Sequence, residues 1–491
     1  MTTTTDAAPG GLAAAVPERL YRWRWIALLV ILAGEILDML DALITTIAAP
    51  TIRADLGGTA GTLQWLSAGY TLALGVGLIT GGRLGDLYGR KRMFLIGAAG
   101  FTIGSLLCGL AVSPEMLVGS RVLQGLFGAL MLPQGLGLIK KMFPPKEVGA
   151  AFGLFGPIMG LSSVGGPVLA GWLIDADLFG TGWRMIFMIN VPLGLAAVAA
   201  GLRFLPEARA ASASRLDLVG ALLAALGAGL VVYPLVQGRE HGWPAWTFAM
   251  MAASAAVFAL FVWYEVRTQR AGGDPLVTPS LFRKRGFSGG LTVGLVFFSG
   301  MTGFALAFGL YTQLGLGYSP LKAGLVQIPW SAGMIVGFGV AQAVSRFGRH
   351  VIHVGTVVMA GGVGLIILTL HLAGTGVGPW QLTPALLVTG LGMGLLMAPF
   401  FDIVLAGVEP HETGAAGGTL TAVQQLGSAL GAAVLGTVFF DRLGDHLSAS
   451  GPTFQHAMDA TLWTTIGLLG ASFAATFLLP KQPRPEQDAT H

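Results

Sequence analysis

The sequence predicts an all-α polytopic membrane protein of about fourteen transmembrane helices, two six-helix halves with two further helices inserted between them. Three observations predict it. Hydrophobic residues fill 54% of the 491 positions and charged residues 11%, against about 25% charged in soluble proteins, and the mean hydropathy is +0.73. The apolar residues fall into runs of about 20, the length that crosses a hydrocarbon layer at about 1.5 Å per residue. A segment near the middle of the first half also returns in the second. Residues 144–153, PPKEVGAAFG, align with residues 409–418, EPHETGAAGG, and the match continues through Gly166 with Gly431 and Gly171 with Gly436.

In chain order, residues 1–24 lack a basic-then-apolar leader with a cleavage site and read as a short cytoplasmic tail. Apolar runs then begin near residues 25, 62, 93, 114, 150, 183, 217, 246, 286, 321, 351, 381, 415 and 456. The repeat pairs the fifth run with the thirteenth, and a weaker echo, LMLPQ at 130–134 with LMAPF at 396–400, pairs the fourth with the twelfth. The expected division is a six-helix half at 25–205, two inserted helices at 206–268, a cytoplasmic linker at 269–285, a second half at 286–479 and a tail at 480–491. With the N-terminus inside, 22 of the 28 Lys and Arg residues fall in cytoplasmic segments, which places both ends in the cytoplasm. The inserted runs are almost without polar residues and are expected to pack outside the two halves.

The basic residues sit in short clusters between apolar runs, so the net charge of +4 reflects membrane topology and gives no sign of nucleic-acid binding. The expected surroundings are a lipid bilayer. The one cysteine, Cys108, excludes an intramolecular disulfide and any zinc site built on paired cysteines. An Ala-, Gly- and Arg-rich composition suggests a high-GC bacterial gene, hence the bacterial cytoplasmic membrane.

The first run carries Glu35, Asp38 and Asp41. Each charge at a bilayer centre costs about 2.5 to 3.5 kcal/mol, and such acids usually handle protons or ions. Steps of three residues leave successive acids about 60° apart, so all three share one helical face within roughly 9 Å of rise. A tight structural polar cluster is the alternative.

The segment GGRLGDLYGRKR at 81–92 combines turn-forming glycines with one acid and several bases at the membrane surface. It resembles the signature of the major facilitator superfamily, which assigns Gly82, Asp86, Gly89 and Arg90 to a conformational switch. The second half keeps only SRFGRH at 345–350, with Ser345 in place of the acid, so a latch there is expected to be asymmetric. LDALITTIAAP at 40–50 and RVLQGLFGA at 121–129 resemble the first- and fourth-span motifs of drug:proton antiporters, with Leu43 and Thr46 departing from that pattern. Gly153, Gly166, Pro167 and Gly171 follow the fifth-span antiporter motif, with Ser162 and Ala170 as small substitutes for glycine. WRMIFMINVPLG at 183–194 and QQLGSALG at 424–431 resemble segments of the fourteen-span branch. The resemblance implies the major facilitator fold and proton-coupled antiport, with Asp41 and Arg121 in proton transfer.

Arg121 is the one base inside a run. It lies roughly 10 Å from the outer end of the fourth span, and Asp41 roughly 13 Å from that of the first, so the two depths match. The expectation is that Arg121 approaches Asp41, or Asp38 through water, as a proton-coupling group. A fixed salt bridge joining the two spans is the alternative. The balance of desolvation, like-charge repulsion and attraction to Arg121 would let the cluster exchange a proton near physiological pH.

Aromatic and Met residues with a few acids suit bulky lipophilic cations. Candidate liners are Gln64, Trp65, Tyr70, Phe304, Tyr311, Trp330, Met397 and Gln425, each also readable as helix packing or an interfacial belt residue. Asp402 is a second intramembrane acid or reaches the interface. The expected activity is proton-coupled export of lipophilic, cationic drugs or antibiotics, by a functional monomer with the proton as coupling ion and no cofactor or metal. Alternatives are export of one endogenous metabolite and proton symport of a nutrient. An enzyme is not expected, because neither a nucleophile constellation nor a phosphate-binding loop is present.

Overall fold

The structure is a computed structural model that describes residues 21–481 apart from 145–146, 148–149, 152–153, 210–214, 410–411 and 444–450. Apolar runs become long helices because no bilayer-spanning backbone can leave its polar groups unpaired. Among the described residues, the long helices are α1 (Arg24–Leu56), α2 (Ala60–Tyr88), α3 (Arg90–Gly109), α4 (Pro114–Met142) and α5 (Phe155–Asp175). There follow α6 (Gly182–Phe204), α7 (Leu218–Gln237), α8 (Ala245–Arg270), α9 (Arg285–Gly315) and α10 (Pro320–Ala343). The chain closes with α11 (Arg349–Ala373), α12 (Pro379–Leu405), α13 (Thr413–Leu443) and α14 (Gly451–Thr476). Eleven of these are long and apolar enough to cross a membrane; α1, α5 and α14 are the other three.

Local chemistry sets the boundaries. Thr59 caps α2 by accepting from the Thr62 amide, in a capping box with the Thr62 side chain. Ser113 and Ser319 cap α4 and α10, each followed by a proline at the first helical position. Between α2 and α3 a single residue, Gly89, makes the turn at φ +101°, a conformation that L side chains rarely adopt.

Helices α1 to α6 pack on one another, as do α9 to α14. The groups meet through α2 against α13, α5 against α10 and α1 against α9. Helix α7 lies against both α2 and α13, and α8 packs on α7. Only Thr247, Ser254 and Glu265 of α8 are buried, so its apolar surface faces outward.

The first and last described residues, Tyr21 and Lys481, lie at one end of the bundle, the termini end. The Tyr21 hydroxyl donates to the Phe204 carbonyl (3.1 Å), and the Arg349 amide donates to the Lys481 carbonyl (3.2 Å). At the far end the two groups are joined. Gln64 of α2 donates to the Ala433 carbonyl of α13 (3.2 Å) and to Thr437 Oγ1 (3.4 Å). Gln313 of α9 donates to the Ile47 carbonyl of α1 (2.9 Å), and the Leu321 amide of α10 donates to Asp175 of α5 (3.1 Å).

Close helix approach rests on small residues. A Cβ on Gly97 of α3 would meet the Met131 backbone of α4 at 2.7 Å. Gly97→Val should therefore cost about 1 to 3 kcal/mol by overpacking, seen as a lower melting temperature of the purified protein in detergent.

Candidate functional site

The carboxylate of Asp41 is the meeting point of three helices, α1, α4 and α6. Asp41 and Arg121 are each 1% exposed and form an ion pair between α1 and α4. The other carboxylate oxygen accepts from Gln124 Nε2 of α4 (2.9 Å) and Asn190 Nδ2 of α6 (3.0 Å). Gln124 Nε2 also donates to Ser105 Oγ of α3 (2.7 Å). The guanidinium donates to Gln124 Oε1 (2.7 Å) and to the Leu66 carbonyl of α2 (3.2 Å), and it sits over the Tyr70 ring, 4.1 Å from the centroid. A buried charge is tolerated only when its donors and acceptors are met, and this network meets them from α1, α2, α3, α4 and α6.

The three acids of α1 part company here. Asp38 is buried and accepts from the Tyr70 hydroxyl, so Tyr70 joins Asp38 to the ring face that carries Arg121. Glu35 is half-buried one turn nearer the termini end, beside Gly135 of α4, and among the described residues forms no hydrogen bond or ion pair. The expected approach of Arg121 to Asp41 is thus direct. Gln124, Asn190 and Ser105 were not singled out in the sequence, although Gln124 lies three residues after Arg121 on the same helical face.

Helix α5 packs one face of its motif on α1 and another on α10. A Cβ on Gly166 would meet Leu43 of α1 at 3.2 Å, two residues from Asp41. Pro167 and Gly171 face the backbone of α10 at Gly324 and Leu321. Gly153 lies outside the described residues.

At the α2–α3 turn, Asp86 pairs with Arg90 at 2.5 Å, and Gly82 faces Pro133 of α4. The Arg90 amide donates to the Ala208 carbonyl (2.8 Å), fixing the segment after α6 to this turn. Arg83 donates to the carbonyls of Arg215, Asp274, Pro275 and Leu276, on both sides of the α7–α8 pair.

Of the candidate substrate liners, Phe304 and Trp330 meet each other, and the others have separate neighbours. Gln64 binds α13, and Trp65 meets Tyr233 of α7 with ring centroids 6.0 Å apart. Phe304 of α9 packs on Trp330 of α10 at 5.1 Å. Tyr311 is buried in a π-helical turn, its hydroxyl without a hydrogen-bond partner among the described residues. Met397 is buried on α12, Gln425 of α13 lies against Gly75 of α2, and Asp402 is exposed near the termini end of α12.

A family profile described as Major Facilitator Superfamily matches residues 31–218 and 209–432. The chain belongs to that superfamily. This transporter is similar to a "Probable actinorhodin transporter" of Streptomyces coelicolor, 46% identical over 98% of this chain and 95% of the relative. It is also similar to a "Tetracenomycin C resistance and export protein" of Streptomyces glaucescens, 36% identical over 91% of this chain and 81% of the relative. A "Multidrug efflux pump LfrA" of Mycolicibacterium smegmatis is 31% identical over 84% of this chain and 81% of its own length. A solved proton dependent oligopeptide transporter shares the fold, with a TM-score of 0.64 and 14% identity over 93% of this chain and 99% of that one. Membership in a transporter superfamily agrees with the expectation of a multi-pass membrane transporter and not an enzyme.

Removing one member of the buried pair leaves the other charge uncompensated. Arg121→Ala should cost about 3 to 5 kcal/mol, whereas Arg121→Gln combined with Asp41→Asn should recover most of it. A double-mutant cycle on melting temperatures checks the coupling.

Proposed function

We propose that this transporter exports lipophilic, cationic drugs or antibiotics from the bacterial cytoplasm in exchange for protons. The observation that carries the reading is the Asp41–Arg121 pair, both partners 1% exposed, in the position where a membrane protein rarely tolerates charge. The relatives' printed roles in export, resistance and efflux support the direction.

All fourteen long helices would then cross the membrane, with both termini cytoplasmic. The halves would span 25–205 and 286–479, with the insert at 206–268, the linker at 269–285 and tails at 1–24 and 480–491. The working unit is a monomer. The far end is extracellular, so the joined contacts of Gln64, Gln313 and Leu321 close the outer side and this conformation faces inward.

In the proposed cycle a proton from outside neutralises Asp41 or Asp38, and the neutral carboxyl no longer holds Arg121. The guanidinium then retains Gln124, the Leu66 carbonyl and the Tyr70 ring as partners. Helix α1 is freed to move against α4, and α5 and α9, which it touches, follow. On the inner side, loss of the proton restores the pair. A cationic substrate competes with the proton for the negative charge of Asp38 and Glu35, which one cycle exchanges. Asp86, Arg90 and their neighbours at the α2–α3 turn exchange partners as the halves rock, with Gly82 and Gly89 allowing the turn.

A second reading is a narrow exporter of one secondary metabolite. It is favoured by the two Streptomyces relatives, each named for a single compound.

Asp41→Asn should abolish uncoupler-sensitive ethidium transport in inverted vesicles while the protein still folds. Undiminished exchange would overturn the coupling role. Alternating access predicts that cysteines at Gln64 and Thr437, whose side chains meet across the two halves, are bridged by a short bis-methanethiosulfonate and that the bridge stops transport. Reduction should restore it.

A further inference from the structure

At the termini end, outside the bundle, a cavity of about 470 Å³ opens between the start of α3, the end of α6 and the segment after it. Its wall carries Lys91, Arg92 and Arg209 against one acid, Glu207, together with the apolar side chains of Leu95, Ile96 and Leu202. Arg92 and Arg209 form no ion pair among the described residues. Lys91 Nζ gives one hydrogen bond, to the Leu202 carbonyl (2.9 Å), which leaves two of its protons for a ligand. Three cations against the single carboxylate of Glu207, at the mouth of an apolar cleft, leave an excess of positive charge that calls for an anion.

The surroundings specify what kind. Next to the cavity on α3 and α6, exposed apolar side chains continue away from the charges: Ile96 and Ile103 on one helix, Leu202 and Leu195 on the other. A soluble anion would use the cations and nothing else. A molecule with a phosphate above and acyl chains below matches both parts, because basic groups at a transmembrane helix end attract anionic headgroups while the lipid tails cover the apolar strip.

We propose that this cleft binds one anionic glycerophospholipid, its phosphodiester held by Lys91, Arg92 and Arg209 and its acyl chains lying along α3 and α6. The bound lipid would bridge the start of α3 to residues 202–209, a connection that the Arg90 amide and Lys91 already make. The site is separate from the Asp41 network and does not depend on the direction of transport.

The test uses the full chain, delipidated in detergent and titrated with phosphatidylglycerol, phosphatidylcholine or inorganic phosphate, with bound lipid read by native mass spectrometry. Phosphatidylglycerol should bind at one site at least tenfold more tightly than phosphatidylcholine. The pair Arg92→Ala and Arg209→Ala should weaken it about 30-fold, since two interfacial cations contribute about fivefold each. Arg203→Ala, an exposed cation outside the cleft, should leave it unchanged, and an unchanged melting temperature verifies folding of every variant. Equal binding of the two lipids would overturn the proposal. So would displacement of the lipid by inorganic phosphate at matching concentrations, which would mark a soluble-anion site, or retention of full affinity in the double variant.

Discussion

A guanidinium and a carboxylate enclosed together between α1 and α4 constrain everything around them. Neither Asp41 nor Arg121 can be hydrated where it lies, and an uncompensated ion there would cost several kcal/mol. The carboxylate therefore takes donors from α4 and α6 besides its ion-pair partner, and the guanidinium takes the Leu66 carbonyl and the Tyr70 ring of α2. Ser105 of α3 completes the set by accepting from Gln124. Five helices are held in register by one pair of charges.

Helix α1 transmits that constraint outward. Its acidic face carries the network, and Leu43 meets Gly166 of α5 two residues further on. Six residues beyond Asp41, the Ile47 carbonyl accepts from Gln313 of α9. The helix that holds the ionisable group thus touches the other half directly, and α5, which contacts α1 on one side, meets α10 on the other. The small residues of the α5 motif have a physical role in this arrangement. They let backbones come close enough that a movement of α1 cannot be absorbed by side-chain rearrangement.

The inserted pair is tied to both groups. Helix α7 lies against α2 and α13, and Arg83 holds the segments before and after the pair by their carbonyls. Beyond that linker, Ser280 and Lys284 bind Glu412 at the start of α13, at 2.7 Å and 2.5 Å. The repeat-related acid, Glu147, binds Arg24 at the start of α1 at 2.8 Å. The two halves therefore use equivalent acids to hold their first helices, and the aligned glutamates of the internal repeat have a matching structural purpose.

The sequence by itself determined the helices, because twenty apolar residues have one stable form in a bilayer, and the helix starts lie within a few residues of those read from the apolar runs. It also narrowed the partner of Arg121 to Asp41 or Asp38, because depth along a helix can be counted from its end, and the structure chose Asp41. Tertiary structure alone decided the rest of the network. Gln124 shares a face with Arg121 by its spacing, but Ser105 and Asn190 come from two other helices, and nothing in their spacing says which face each turns inward. It likewise separated Asp38, bound to Tyr70, from Glu35, which lies beside Gly135, although helical periodicity treats them alike. The aromatic candidates are the least legible: Trp65 meets Tyr233 of α7, and Trp330 meets Phe304, itself a candidate. An apolar ring gains as much from packing on a neighbouring helix as from lining a cavity, so composition cannot distinguish the two, whereas a buried charge permits few solutions and is legible from the chain.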